Sequence, residues 1–335
     1  MMSKRNGFSL ERREFIKGSV ISLACLPAID FTSFLQKGKN RKTRIALFKS
    51  HDRRQGVREV LKALDFVSVD GKKVMIKPNF NTADPVPAST HNDTLVQLIQ
   101  ELRGRGAAEI TVGERSGPPP TKEVMEDKGI FQLAQELNFK IINYEELEEK
   151  DWIHFNPPGN HWNEGFYIAR PAVEAEYFVS TCCLKTHQFG GVFTMSIKLA
   201  VGLTPKRLMR ELHSSRQNMR KMIAELSLGY KPQLIVLDGV EAFVDGGPSM
   251  GTKKEANVFM AGTDRVAVDA AGIAVLKDLG SNEAIMGPKI FEQEQIARAI
   301  ELGLGISGPE QIEFITPDEP SKEYAEKLKL ILAQG

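Results

Sequence analysis

The chain has 335 residues, of which 41% are hydrophobic and 26% charged, and its formal net charge is +1. These values are ordinary for a globular protein and leave room for one large domain or two modest ones. A balance this close to neutral gives no electrostatic footprint for nucleic acid. There is also no apolar run of about 18 residues or more, so no transmembrane helix is expected.

The first 30 residues have the pattern of an export signal. Arg12 and Arg13 precede a short apolar stretch at residues 18–29. A basic start before such a stretch is typical of a signal peptide, and the paired arginines resemble the twin-arginine type. We therefore expect residues 1–30 to be read by the twin-arginine export machinery and residues 31–42 to be a linker. The mature protein is then periplasmic or otherwise exported.

From residue 43 onward, apolar stretches typical of strands alternate with periodic patterns typical of helices. Strands are predicted at residues 45–48, 73–76, 109–112, 140–143, 166–168, 177–184, 233–237, 258–261 and 312–315. Helices are predicted at residues 57–64, 94–102, 122–137, 205–228, 266–279, 290–302 and 321–333. This alternation predicts an α/β fold, with a mostly parallel or mixed sheet and helices on both faces, in a single domain of residues 43–335.

Polar and charged side chains follow four of the predicted strands. They are Lys77 and Asn79, Glu114, Lys185 and His187, and Asp238. Because the carboxyl ends of parallel strands meet at one edge of a sheet, these groups are expected to face one crevice. We assign Lys185, His187, Glu114 and Asp238 to catalysis, and Lys77 and Asn79 to ligand binding. Any one of them alone is equally well explained as a capping or surface residue.

Lys198 lies in an otherwise apolar segment, and a helix is predicted there at residues 192–203. A desolvated lysine has a lowered pKa and can act as a base or nucleophile, so Lys198 is a catalytic candidate. The alternative is that its ammonium group extends to water. His187 and His213 flank this segment and are candidate metal ligands, although their spacing matches no short metal motif.

Two glycine-rich loops are candidates for ligand binding. Gly190 and Gly191 precede the predicted helix, where backbone N–H groups suit an anion. Gly246 and Gly247 belong to a second loop that follows a strand. Both loops are also explained as plain turns, and neither matches a nucleotide-binding fingerprint.

Cysteine usage excludes an iron–sulfur site of known spacing. Beyond the predicted signal peptide only Cys182 and Cys183 occur, and they are adjacent. Neighbouring side chains of a strand point to opposite faces, which argues against a disulfide between them. We interpret the pair as two small residues packed within a strand.

In this order the motifs resemble the family called domain of unknown function 362, over residues 74–275. The matching pieces are Lys77-Pro78-Asn79, Gly113-Glu114, Leu184-Lys185-Thr186-His187, Lys198 with Gly202, His213, Asp238-Gly239-Val240, Gly246-Gly247-Pro248 with Gly251, and Asp264 to Asp269. The resemblance implies export, a redox or cofactor setting and a redox partner protein. The ferredoxin-like module that some members carry is not present in this sequence.

The order of His187, Gly190-Gly191, Lys198, Gly202 and His213 is also similar, more distantly, to the cofactor segment of the nickel-pincer lactate racemase family. That likeness implies a metal–organic cofactor attached to Lys198. It further implies that His213 ligates the metal and that His187 acts as an acid or base.

Three functions remain open at this level. The first is an exported enzyme that acts on a small anionic molecule, using lysines to bind it and His187 or Lys198 to move a proton. The second is a periplasmic binding or accessory protein that uses the same groups without catalysis. The third is a scaffold in which the polar cluster is structural.

Overall fold

The computed structural model describes residues 42–66 and 68–335. The predicted signal peptide and the predicted linker up to residue 41 lie outside these residues. Within the described part of the chain, no helix is both long enough and apolar enough to cross a membrane.

The strands are numbered in chain order. They are β1 (Thr43–Lys49), β2 (Lys73–Lys77), β3 (Glu109–Glu114), β4 (Lys140–Asn143), β5 (Trp152–Phe155), β6 (Phe166–Ala169), β7 (Tyr177–His187), β8 (Val192–Thr194), β9 (Leu234–Gly246), β10 (Gly251–Gly262) and β11 (Ile312–Ile315).

The α-helices are numbered in the same way. They are α1 (Arg53–Ala63), α2 (Asn92–Gly104), α3 (Thr121–Asp127), α4 (Ile130–Leu137), α5 (Arg170–Val173), α6 (Met209–Ser214), α7 (Met219–Leu226), α8 (Arg265–Asp278), α9 (Glu283–Met286), α10 (Glu294–Glu301) and α11 (Glu319–Gln334). Short 3-10 helices connect several of them, including Ile197–Leu203 and Lys206–Leu208.

Nine of the strands described at residues 42–66 and 68–335 form one mixed sheet. Its order is β11-β1-β10-β9-β7-β2-β3-β4, and β8 pairs with β7. At the centre, β2 runs parallel to β3 and β7, and β7 runs parallel to β9. β10 is antiparallel to β1 and β9, while β5 and β6 form a separate hairpin. The predicted α/β fold with a mixed sheet is confirmed.

Each face of the sheet packs into its own hydrophobic core. Along β9, Ile235 and Leu237 belong to one core, and Leu234 and Val236 belong to the other. This alternation follows from the pleat, which points successive side chains to opposite faces. Helices α8 and α11 contribute to the first core, and α1 and α2 to the second. Helices therefore cover both faces, as the sequence predicts.

The structure differs from the predicted elements in the segment after β7. The helix predicted at residues 192–203 begins as strand β8, because Val192–Thr194 pairs antiparallel with the end of β7. Only Ile197–Leu203 is helical, as a 3-10 helix. The helix predicted at residues 205–228 is likewise divided into a 3-10 turn, α6 and α7.

The strand predicted at residues 233–237 is much longer than its apolar run indicates. β9 continues to Gly246 because the antiparallel strand β10 pairs along it as far as Gly251. Asp238 therefore lies inside a strand, opposite Cys183 of β7, rather than at a strand end. Where the partner strand of a hairpin adds further backbone pairing, a strand continues beyond the end of its apolar run.

The two adjacent cysteines are both buried and both free. Burial raises the pKa of the Cys182 thiol and of the Cys183 thiol, which keeps them protonated. They pack as small side chains within β7, in agreement with the interpretation from the sequence.

Candidate functional site

The carboxyl ends of three parallel strands meet at one cavity of about 470 Å³. Lys77 is the last residue of β2, and Glu114 is the last residue of β3. Lys185 and His187 close β7, and Asn79 follows β2 by two residues. All five line the cavity. Residues from distant parts of the chain thus come together at the edge of the sheet where α/β proteins bind ligands.

A buried ion pair between Lys77 and Glu114 forms part of the cavity wall. Lys77 Nζ also donates to the carbonyl of Pro78 at 2.7 Å. The Glu114 carboxylate accepts from the backbone N–H groups of Phe80 and Arg115 at 2.7 and 2.8 Å. Burial lowers the pKa of Lys77 and raises that of Glu114, and the ion pair opposes both shifts. The pair is therefore satisfied within the protein.

The 3-10 helix Ile197–Leu203 packs directly against this ion pair. A Cβ atom built on Gly202 would lie 2.7 Å from Lys77 Nζ and 2.8 Å from Glu114 Oε1. No larger residue fits at that position unless the pair moves. Gly202 thus lets the helix that carries Lys198 approach the ends of β2 and β3.

The Lys185 ammonium is fixed by backbone carbonyls. Its Nζ donates to Ala88 O at 2.5 Å and to Pro248 O at 3.2 Å. Burial lowers the pKa of Lys185 to about 8, although neighbouring acidic groups act in the opposite direction. At neutral pH the Lys185 ammonium is mostly charged, and it donates its hydrogen bonds to these backbone carbonyls.

Lys198 is the cavity lysine whose ammonium has no protein partner. Among the described residues, no hydrogen bond or ion pair reaches its Nζ atom, while the side chain lines the cavity. Burial, together with the positive charges of Lys185 and Arg115, lowers the pKa of Lys198 to about 7. In about half of the molecules the Lys198 side chain is then neutral at pH 7. An amine in that state both accepts a proton and attacks an electrophile.

His187 is held neutral beside Lys198. Burial, and then the charges of Lys198 and Lys185, lower the pKa of His187 to about 2. The backbone N–H of Gly191 donates to its Nδ1 atom at 3.3 Å, so the neutral ring carries its proton on Nε2. His187 is therefore suited to donate a hydrogen bond from Nε2, and it does not act as a cationic acid near neutral pH.

His213 presents the complementary tautomer at the mouth of the cavity. Its Nδ1 atom donates to Met209 O at 2.7 Å, which leaves Nε2 with a free lone pair. A lone pair of this kind can accept a proton or ligate a metal. His187 does not supply a second lone pair in its Nε2–H form.

The donor set does not fit a metal ion held by protein side chains alone. Within residues 42–66 and 68–335, no group of three or more His, Cys, Asp or Glu side chains is arranged to hold one. Structural and catalytic zinc sites use at least three protein ligands. Because the site offers one available imidazole nitrogen, it fits only a metal-containing cofactor whose organic part supplies most of the metal ligands.

Two cations of the cavity wall were not identified from the sequence. Arg115 donates to the carbonyls of Thr204 and Ser116 at 2.8 and 3.0 Å, and also to Val201 O. Burial lowers the pKa of Arg115 to about 10. The guanidinium therefore clamps the end of the 3-10 helix that carries Lys198. The only sequence signal was its place directly after Glu114.

Lys206 is the second cation that sequence reasoning missed. Its Nζ forms an ion pair with Glu145 and donates to Pro119 O at 3.0 Å. The remaining cavity residues that the sequence did not indicate include polar and apolar side chains. They are Asn81, Thr194 and Ser249, and Phe189, Leu199, Val201, Met209 and Pro118.

Several candidates from the sequence do not line the cavity. The Asp238 carboxylate accepts from Thr94 Oγ1 at 2.6 Å and from Arg53 Nε at 3.1 Å, and so faces α1 and α2 instead. It is absent from the cavity wall, and its carboxylate is held by these two side chains instead. This position does not support its assignment to catalysis.

The four glycines have local structural roles. Gly191 lets the turn approach His187, since a Cβ atom there would lie 2.9 Å from His187 Nδ1. Gly190 and Gly247 have φ angles of 87° and 73°, which favour glycine. A Cβ atom on Gly246 would lie 2.9 Å from Gly251 Cα across the turn. None of the four lines the cavity, whereas Pro248 and Ser249 of the second loop do.

Asp269 connects the central helix α8 to the segment that carries Lys198. Its buried carboxylate accepts from the backbone N–H groups of Ser196 and Ile197 at 2.7 and 2.9 Å. Burial raises the pKa of Asp269 to about 7, against the effect of these hydrogen bonds. Asp269 thus caps the start of the 3-10 helix and helps to fix the position of Lys198.

The fold and the cavity together define the class: an α/β protein with a lysine- and histidine-lined cavity at the carboxyl ends of its parallel strands. The family model described as "Domain of unknown function (DUF362)" matches residues 74–274. The chain belongs to this family, which confirms the family assignment made from the motifs.

Two further comparisons place the chain among known proteins. A thylakoid-associated protein of Synechocystis sp. is 23% identical over 250 residues, which cover 72% of this chain and 74% of that protein. The lactate racemase apoprotein from Thermoanaerobacterium thermosaccharolyticum has 14% sequence identity and a TM-score of 0.42, over 88% of this chain and 87% of that chain. A likeness as remote as the second carries no conclusion about activity.

Proposed function

We propose that the cavity binds a small anionic molecule and that the chain is an enzyme that transfers a proton to or from it. The observation that carries this proposal is Lys198, a cavity ammonium without a protein partner in the described residues. The side chain is only partly buried, and an anion is the ligand that such a group favours, because a charge that has lost part of its contact with water is stabilised by pairing.

The other charges of the cavity strengthen this reading. Lys77 is neutralised by Glu114, so the remaining cations of the wall exceed its acidic groups. Lys185 and Arg115 act on Lys198 as like charges and lower its pKa. A bound anion beside Lys198 would offset that repulsion. Binding would in turn raise the pKa of Lys198, so that Lys198 takes up a proton when the ligand enters.

We assign separate chemical tasks to Lys198 and His187. Lys198, protonated while it pairs with the anion, would donate its proton to the bound molecule and regain one from solvent, since its pKa lies close to ambient pH. His187 would donate a hydrogen bond from Nε2 to an oxygen of the bound molecule. Its low pKa keeps this donor neutral throughout the physiological range.

A screen followed by a product assay tests the proposal. The protein is titrated with a library of anionic metabolites while its melting temperature is recorded, because a ligand at 100 times its Kd stabilises by about 2.7 kcal/mol. Each hit is then incubated with protein and analysed by mass spectrometry and proton NMR. We expect at least one hit to be converted, and Lys198→Met and His187→Gln to abolish conversion without lowering the melting temperature.

The matched control for this test is Lys122→Met, at an exposed lysine of α3 that does not line the cavity. It should convert the hit as the wild type does. Saturable binding with no product would instead favour a binding or accessory protein without catalysis. A large loss of stability in Lys198→Met with no loss of conversion would reject the role of Lys198.

A metal–organic cofactor is a second proposal for the same cavity. Lys198 would carry the organic part on its amine, and His213 would ligate the metal through Nε2. Such a group would supply electron-accepting chemistry that amino-acid side chains lack. Intact mass and elemental analysis of protein purified from its native host test this. Mass added at Lys198 together with a stoichiometric metal supports it, and an unmodified Lys198 without metal rejects it.

We further propose that the chain is exported by the twin-arginine route and that it works with a redox partner protein. The motif that includes Arg12 and Arg13 supports the first statement. The second rests only on the family resemblance. Affinity capture with the exported protein, compared with its Lys198→Met variant, would test for such a partner.

A further inference from the structure

The cavity is larger than a two- or three-carbon anion requires. Its volume of about 470 Å³ lies in the range of about 300–1,000 Å³ that is typical of pockets for drug-sized ligands. A ligand that contacts Lys198 alone would leave most of the wall uncovered. The nature of the remaining wall therefore indicates what the rest of the ligand is like.

Four of the five cations in the wall are already engaged by the protein. Lys77 pairs with Glu114, and Lys206 pairs with Glu145. Lys185 and Arg115 donate to backbone carbonyls. In the described part of the chain, Lys198 is left as the cavity cation without a partner. One free cation matches one negative group, whereas a polyanion would need several.

Much of the rest of the wall is apolar. It includes Pro118, Phe189, Leu199, Val201, Met209 and Pro248. The free energy of binding improves by about 25 cal/mol for each Å² of this apolar area that an apolar part of a ligand covers. A ligand that is polar throughout does not obtain this contribution.

Phe189 gives the second observation. Its side chain is 61% exposed, at the turn between β7 and β8, although it lines the cavity. The ring stands edge-on to His187, with 6.0 Å between ring centroids and an interplanar angle of 83°. An exposed aromatic ring next to His187, the candidate hydrogen-bond donor, is positioned to cover the apolar part of a bound molecule.

Resting on the proposed function, we propose that the ligand is an amphipathic monoanion. Its single negative group pairs with Lys198, and its apolar body of several carbon atoms packs against Phe189 and Met209. The ligand class is thus an aliphatic or aryl-alkyl carboxylate, or an anion of similar shape. Sugar phosphates, nucleotides and tricarboxylates fall outside it.

Isothermal titration calorimetry with a graded series of anions tests this inference. The probes are acetate, butyrate, hexanoate and 3-phenylpropionate, with hexanesulfonate and hexyl phosphate as alternative head groups and citrate as a polyanion. We expect affinity to rise about fourfold for each buried methylene. Hexanoate and 3-phenylpropionate should bind more tightly than acetate and citrate.

Variants separate the apolar wall from the charged group. Phe189→Ala should reduce the affinity for 3-phenylpropionate at least fivefold and reduce the affinity for acetate much less. Phe131→Ala, at a partly exposed phenylalanine of α4 outside the cavity, is the matched control and should leave the whole series unchanged. Lys198→Met should weaken every member.

The outcomes distinguish this inference from the proposed function. Equal affinity along the series, or tighter binding of citrate than of hexanoate, with binding still dependent on Lys198, overturns the amphipathic ligand and leaves the anion site intact. Absence of binding by every probe, or binding that Lys198→Met does not weaken, overturns the anion site and the inference together.

Discussion

At the scale of single residues, the cavity is explained by which charges are paired and which are not. Lys77 and Glu114 satisfy each other, while the charges of Lys185 and Arg115 repel a charged Lys198 and lower its pKa. Burial lowers the pKa of Lys77 and Lys198 and raises that of Glu114, which in each case favours the neutral form. Stability and ligand binding are therefore both sensitive to these three side chains.

The stability of the protein is expected to depend on pH through Lys198. Its pKa is about 7 in the folded state and about 10.5 when unfolded, so the unfolded chain holds more protons between these values. Wild-type stability, relative to Lys198→Met, should therefore rise from pH 7 to pH 10, with a slope of at most about 1.4 kcal/mol per pH unit. At pH 7 and below, Lys198→Met should be the more stable protein. Urea unfolding at several pH values measures this.

The comparison with Lys122→Met isolates the effect of the cavity. That variant removes a lysine from an exposed helix position and reports the general effect of losing one positive charge. If Lys198→Met and Lys122→Met show the same pH dependence relative to wild type, the lowered pKa of Lys198 is contradicted.

Removal of Glu114 is expected to be strongly destabilising. Glu114→Gln leaves the Lys77 ammonium buried without its counter-charge, and breaking a buried pair in this way costs about 3–5 kcal/mol. Denaturant unfolding of the variant measures the loss. The double variant Lys77→Met with Glu114→Gln should recover at least half of it, because no unpaired charge is left. Equal losses in the single and double variants would show that the ion pair itself is not the cause.

At the scale of elements, the short 3-10 helix Ile197–Leu203 determines where Lys198 lies. Asp269 caps its start, Arg115 holds its end, and Gly202 allows its approach to the sheet. A 3-10 helix of this length has little stability of its own, so these contacts are required to fix it.

Loss of the cap at Asp269 is therefore expected to loosen this helix. Asp269→Ala leaves the N–H groups of Ser196 and Ile197 without acceptors, which costs about 1–3 kcal/mol for each buried group. Hydrogen exchange should become faster at both amides, and binding through Lys198 should weaken. Asp93→Ala, at an exposed carboxylate of α2, is the control. Unchanged exchange at the two amides would contradict the capping role.

Elements with a strong local pattern were predictable, and those set by a partner strand were not. The run ending at Val74-Met75-Ile76 predicts β2 and places Lys77 at its end, as found. β8 and the second half of β9 have no such pattern, because pairing with β7 and β10 defines them. Asp238, expected at a strand end, therefore lies within β9.

At the scale of the whole molecule, the site depends on contacts between segments far apart in the chain. Lys77, Glu114, Lys185, His187 and Lys198 could be foreseen because each follows or adjoins a recognisable apolar segment. Arg115 and Lys206 could not be distinguished from surface cations, since only the tertiary fold shows that they line the cavity. The place of Phe189 in the cavity wall could not be predicted either, because Phe189 lies in a turn without a distinctive pattern.

The export proposal concerns the whole chain and is tested in cells. Replacement of both Arg12 and Arg13 by lysine keeps the charge but removes the paired guanidinium groups that the twin-arginine pathway recognises. We expect the exported fraction of the full chain, measured by cell fractionation and immunoblotting, to fall at least tenfold. Lys4→Arg with Arg5→Lys, which lies outside the motif, should not change it. Equal export of both variants would contradict the twin-arginine route.

The central claim is that an anion binds in the cavity through the ammonium group of Lys198. Calorimetric titration of the purified protein with 3-phenylpropionate, at pH 6 and at pH 9, tests it most directly. We expect one binding site per chain, with affinity lower at pH 9 because Lys198, and in part Lys185, is then neutral, and much weaker binding by Lys198→Met. Equal affinity at both pH values, or undiminished binding by Lys198→Met, would contradict the claim.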